Sequence, residues 1–180
     1  MEQLIEKIKK HREAYLQSLA KIQERHQIWL QSTKNFLIEV MDKVTKQVPL
    51  EWYIGLQEYN DHAPQSINLE AVSLHLKNTY SGILLKTIDS VKSYIKYGGM
   101  LSYAQTYNRT ITATIYFPYI EQWVEKREPI VLGNFEPKDI NQTLILSHIE
   151  EFMQEMTAWE CNKREPIGFD FARNMEKVKK

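Results

Sequence analysis

The sequence predicts an α+β fold, and three features carry that reading. The first 48 residues contain neither glycine nor proline and repeat their apolar residues at helical spacing. Residues 110–117, TITATIYF, alternate strictly, as a strand does. Residues 139–160 return to helical spacing, with Ile145, Ile149, Phe152, Met156 and Trp159 on one stripe. The expected architecture is a long N-terminal helix, a small antiparallel sheet of about four to five strands, and helices packed on one face of it, the C-terminal helix among them.

The N-terminal helix is predicted over 1–48 and ends at Pro49. In heptad register one seam position holds Met1, Ile8, Tyr15, Ile22, Trp29 and Phe36, all apolar. Its partner position holds Ile5, Arg12, Leu19, His26, Thr33 and Val40, where only half are apolar. Ser32 and Thr33 are plausible N-caps, so QSTKN at 31–35 is the one place where two helices could meet. Beyond Trp29 the stripe widens to include Leu30, Leu37, Met41, Val44 and Val48, which suits packing on a body. A helix of this length spans about 72 Å. The remaining chain should form a body roughly 36 Å across. About half of the helix is therefore expected to overhang with its apolar stripe uncovered.

Past Pro49 the period changes. EWYIGLQEY (51–59) reads as a strand and NDHAPQS (60–66) as a loop. INLEAVSLHLK (67–77) reads as a second strand paired with the first, on the alternation of Val72, Leu74 and Leu76. Residues 81–99 read as a helix, because Leu84, Ile88, Val91 and Ile95 follow helical steps and Gly98 stands where a C-cap glycine belongs. MLSYAQTY (100–107) and TITATIYF (110–117) read as a hairpin around Asn108-Arg109, ended by Pro118. A short helix over 119–126, a short strand over 130–133 and a helix over 139–160 capped by Asp139 complete the body. The chain thus divides into a helical arm (1–48), an α+β body (49–160) and a basic tail (161–180).

Composition narrows the function. Lys+Arg and Asp+Glu are both 23, so the net charge is zero, which argues against nucleic acid as the partner. The charge is uneven: residues 1–48 carry +3, residues 119–160 carry −6 and residues 161–180 carry +3. Cys161 is the single cysteine, so no intrachain disulfide forms. The first residues lack an apolar signal core, and no apolar run approaches a membrane span. A cytoplasmic protein is expected.

No motif of catalysis stands out. His148 and Glu151 lie three apart on one predicted helix, a spacing that can share a metal, but no further ligand can be placed beside them. Asp61-His62 has the composition of a turn, and no nucleophile accompanies it. Gly98-Gly99 lacks the context of a phosphate loop. Neither a catalytic residue, a cofactor nor a metal is assigned.

The expectation is a non-enzymatic protein that works in an assembly, binding itself or another protein through the helical stripe. Ile8, Tyr15, Leu19, Ile22 and Trp29 are the expected contact residues. The alternative is a small-molecule-binding domain whose sheet forms a cup lined by Tyr103, Tyr107, Tyr116 and Trp123. The threonines of TITATIYF are expected on an outer, solvated strand face.

Overall fold

A computed structural model describes residues 1–59, 68–121, 123–124 and 126–161. The predicted N-terminal helix is one rod with a change of pitch. Helix α1 (Glu2–Ile28) passes into a π-helical turn (Trp29–Thr33) and then into α2 (Lys34–Gln47). Thr33 keeps helical torsions (φ −62°, ψ −44°), so no break forms at QSTKN and neither Ser32 nor Thr33 is a cap. Trp29, Thr33 and Leu37, four residues apart along the rod, are all buried against the body. Val48 turns extended before Pro49, and the rod ends.

The strands are β1 (Trp52–Gln57), β2 (Ala71–Leu76), β3 (Thr79–Lys86), β4 (Val91–Tyr97), β5 (Met100–Gln105), β6 (Ile111–Tyr116), β7 (Tyr119–Ile120) and β8 (Ile130–Phe135). They form a five-stranded sheet, β1-β2-β5-β6-β8, and a three-stranded sheet, β3-β4-β7. Every pairing is antiparallel. The expected hairpin of β5 and β6 is present, with Arg109 at φ 63° in its turn.

The helix expected over 81–99 is instead a β-hairpin. β2 with β5 and β3 with β4 are two halves of one long ribbon. The same register runs from Ala71↔Ala104 through His75↔Met100 to Thr79↔Lys96 and Tyr80↔Ile95, then shifts at a bulge before Leu84↔Ser93. Gly98 sits at the bend, where a Cβ would collide with the backbone of Leu76. It is there for close approach and caps no helix. Among the described residues of 119–126 no helix forms: Tyr119 and Ile120 pair with β4, and Ile120 bridges Val124. Pro118 ends β6 but does not start a helix. The last helix, α3 (Gln142–Glu160), begins later than expected. Asn141, not Asp139, is its N-cap and accepts from the backbone N–H of Leu144 at 3.0 Å. Asp139 belongs to the 3-10 turn Pro137–Asp139.

One core lies between the five-stranded sheet and the rod with α3. Val72 and Leu74 of β2, Leu101 and Tyr103 of β5, and Ile111, Ala113 and Ile115 of β6 face Trp29, Leu37, Met41, Ile145 and Phe152, all of them fully buried. On the opposite face Tyr53, His75, Met100 and Tyr116 stand in one row across four strands. Thr112 and Thr114 lie on that face too, as expected, but Thr114 is buried among its neighbours and is not freely solvated. Among the described residues no helix is long and apolar enough to cross a membrane.

Candidate functional site

The rod leaves the body at a dense polar root. Arg25 donates from Nε to Glu136 Oε2 at 2.7 Å and from Nη2 to Glu136 Oε1 at 2.5 Å. Such a two-pronged pair fixes orientation as well as distance. The Glu136 bonds hold the guanidinium pKa above its ordinary value, and Arg25 in turn holds the Glu136 carboxyl below its own. Arg25 Nη1 also donates to the Asn108 carbonyl at 3.2 Å, which ties the rod to the β5–β6 turn.

One helical turn further along the rod is buried Glu70. It accepts from Trp29 Nε1 at 2.9 Å and from Lys34 Nζ at 3.1 Å, while Lys34 also reaches Glu58 at 2.6 Å. Burial pushes the Glu70 carboxyl up, but the bonds from Trp29 and Lys34 outweigh it and hold it below the usual carboxylate range. Burial likewise lowers Lys34, and the bonds to Glu58 and Glu70 reverse that, so both groups stay charged. Thr33 Oγ1 donates to the Pro137 carbonyl at 3.0 Å. Gln105 Oε1 accepts from the Glu70 N–H at 3.2 Å and from Arg109 Nη1 at 3.0 Å. Arg109 takes up its positive φ in a turn from which its guanidinium also reaches the Asn68 carbonyl. The π-turn is thus held by the rod's own polar side chains as well as by packing.

Beyond this root the rod is bare. Residues 1–21 are all exposed, and α1 contains no buried residue. Leu4, Ile5, Ile8, Tyr15, Leu16 and Leu19 present large apolar surface, with Ile8 at 65% and Tyr15 at 62% of their full exposure. The overhang expected from length is present, and it is about 36 Å long if it is counted over 1–24.

The expected contact residues divide at the root. Ile8, Tyr15 and Leu19 are exposed on the arm and Ile22 is half-buried at its base. Trp29 is at 0% exposure, inside the core and bonded to Glu70, so it is no contact residue. A seam position reads the same in sequence whether it faces the body or the solvent. Glu70, Arg25 and Glu136 escaped the sequence reading, since their partners are far away along the chain and no local signal joins them.

The expected ligand cup does not assemble. Tyr103 is fully buried on the helix side of β5, and Tyr116 points from the opposite side of the sheet. Tyr107 is exposed beyond the end of β5. Trp123 packs against Tyr94 of β4, ring centroids 6.2 Å apart. His148 is buried beside Tyr103, its Nδ1 2.9 Å from the hydroxyl, and packs on Phe135. Burial lowers its pKa despite Glu151. Among the described residues no group of three potential ligands gathers around a metal position. Asp61, His62 and the tail beyond Cys161 lie outside the described residues.

A second surface is also uncovered. The β3–β4 hairpin exposes Tyr80, Leu84, Ile88 and Val91, and its bend borders a cavity of about 240 Å³ lined by Leu50, Leu76, Gly98, Gly99 and Pro118. The charges at that cavity are already paired, Lys96 with Glu160 at 2.6 Å and Lys77 with Glu51 at 3.4 Å. No protein-family model matches this chain, and no curated protein or solved structure matches it either.

Proposed function

We propose that this protein is a non-enzymatic assembly subunit of the cytoplasm that binds another protein chain through residues 1–24 of its N-terminal helix. The observation that carries the reading is the bare stripe of Ile5, Ile8, Tyr15 and Leu19 on an arm rooted by Arg25–Glu136. A helix of this length gains little from propensity alone and is usually held by what it packs on. Here the body offers it nothing to pack on before Ile22. Exposed apolar surface on a rigid projection is the ordinary sign of a protein contact. The cytoplasmic placement is supported by Cys161, which is free and exposed.

The test is the native mass of the protein recovered gently from its own cells, beside the same measurement on Ile8→Asp with Tyr15→Asp. Both side chains are well exposed, so the double variant leaves the core untouched. The expected outcome is a complex heavier than 21.4 kDa that the variant reduces to a folded monomer. A wild-type monomer, or a complex that survives both aspartates, overturns the reading.

A further inference from the structure

We infer that the partner of the arm is the arm of a second copy of this chain, lying antiparallel to it. The inference rests on the association reading above and adds the occupant and its direction. The argument is the placement of Arg12, the one charged residue in the seam of the overhang. In a parallel pair in register, each seam residue faces its own copy. Arg12 would then meet Arg12 across a closing apolar interface, two like charges losing water together. In an antiparallel pair centred between residues 13 and 14, Ile5 faces Ile22, Ile8 faces Leu19 and Arg12 faces Tyr15. Ile5, Ile8, Leu19 and Ile22 then each have an aliphatic partner, and only Tyr15 and Arg12 pair differently. The guanidinium lies against a phenol ring, a favourable cation–π contact.

The flanking positions agree. At the edges of the antiparallel seam the stem of Lys9 runs along Leu16, His11 lies near Ser18 and Glu2 near Gln23, so no like charges are opposed. Length agrees as well. The self-paired seam ends at Ile22, and the root begins at Arg25. Two arms can therefore lie fully side by side with one body at each end. A parallel pair would crowd two bodies, each roughly 36 Å across, at one end of helices whose axes are about 10 Å apart. A twofold antiparallel pair is also a closed assembly in which both copies use the same surface.

The test uses disulfide trapping in the full chain. In a Cys161→Ser background, Ile8→Cys and Leu19→Cys are prepared separately; both positions are exposed on the arm. Each variant is oxidised alone and after mixing with the other. Antiparallel pairing brings position 8 of one copy against position 19 of the other. The expected result is a shift from 21.4 kDa to twice that mass in the mixture and in neither variant alone. Cross-linking of Ile8→Cys with itself would show parallel pairing and overturn the inference. Absence of any cross-link, with a monomeric purified protein, overturns self-pairing. In that case the native complex from cells separates the two claims. A heavier complex lost on Ile8→Asp with Tyr15→Asp leaves the association reading standing with a different partner, and a monomer in cells removes both.

Discussion

Trp29 donates its indole N–H to Glu70 Oε2 across 2.9 Å inside the protein, at the first residue of the π-helical turn. The bond joins the rod to the residue just before β2, and Lys34 closes the same carboxylate from the next turn. Glu70→Gln removes the charge that both donors face and leaves the Lys34 ammonium with Glu58 alone. A loss of about 3 kcal/mol is expected, the scale for breaking one side of a buried ion pair. Trp29→Phe removes that bond and also shrinks a fully buried ring system, at about 2–4 kcal/mol for bond and cavity together. Urea midpoints of the two variants against wild type give both values. Equal midpoints for Glu70→Gln and wild type would show that the pair contributes nothing net.

The same root predicts an acid response. Glu70 and Glu136 both have folded pKa values held below the ordinary range, Glu136 chiefly by the bond from Arg25. A depressed carboxyl adds stability that is present above the unfolded pKa, near 4.3. That stability is lost as pH falls through the folded value. Stability should therefore drop below about pH 4.5, and Glu136→Gln should flatten that part of the curve. A variant that follows the wild-type acid limb would remove Glu136 from the account.

Histidines, one buried and two half-buried, act at higher pH. Burial lowers the pKa of His26, His75 and His148; at His26 the charge of Arg109 lowers it further against Glu70. The unfolded chain binds these protons near pH 6.5 and the folded chain does not. Their contribution is complete above that pH and fades as pH falls below it. Tyr103→Phe strips His148 Nδ1 of its bonded hydroxyl, 2.9 Å away, and should cost about 1–3 kcal/mol. Chemical denaturation of wild type from pH 8 to pH 5 should show a steady loss below about pH 6.5. A flat profile over that range would contradict a neutral folded state of the three rings.

The glycines of the long ribbon should differ in cost. Gly98→Ala sets a Cβ against the backbone of Leu76, which cannot swing aside. Gly82 has φ +76° but open space around it, so Gly82→Ala meets only backbone strain, about 1–2 kcal/mol. Gly98→Ala should lie at or above 3 kcal/mol, roughly the upper end of overpacking costs. Thermal melts of the two variants decide the order. If Gly82→Ala is the worse of the pair, the bend at Gly98 is looser than its contacts imply.

That ribbon also marks where sequence reading stopped. Periodicity works when one face is buried, because the core then selects which positions are apolar. It found the body half of the rod, β5, β6 and α3 for that reason. Along the β3–β4 hairpin Leu84, Ile88 and Val91 are all exposed and neither strand has a fully buried residue, so no core face imposed alternation and the accidental helical spacing won. The better signal was composition, since Tyr80, Ile83, Thr87, Ile88, Tyr94 and Ile95 are strand formers. At the root the bond between Trp29 and Glu70 spans 41 residues, a distance at which the chain carries no local trace of the pairing. The exposed arm stripe, by contrast, followed from helix length against body size, which is geometry that a sequence does contain.

Hydrogen exchange offers a reading of the arm that needs no substitution. The amides of α1 from residue 5 to residue 22 have their helical bonds but no covering side chains. A monomer should open there at almost no cost, because local stability follows burial. Pairing adds protection by mass action, so exchange along the arm should slow as protein concentration rises. The amides of Leu37, Val40 and Met41 in α2 sit over the core and should exchange at a rate independent of concentration. The contrast within one continuous rod is the informative quantity, because both parts share temperature, pH and chain. If the arm is strongly protected in dilute monomer, its stability comes from the body through the Arg25–Glu136 root, and the case for a partner weakens. If it is unprotected at every concentration, the purified chain does not pair with itself, and the stripe of Ile8, Tyr15 and Leu19 belongs to a different protein.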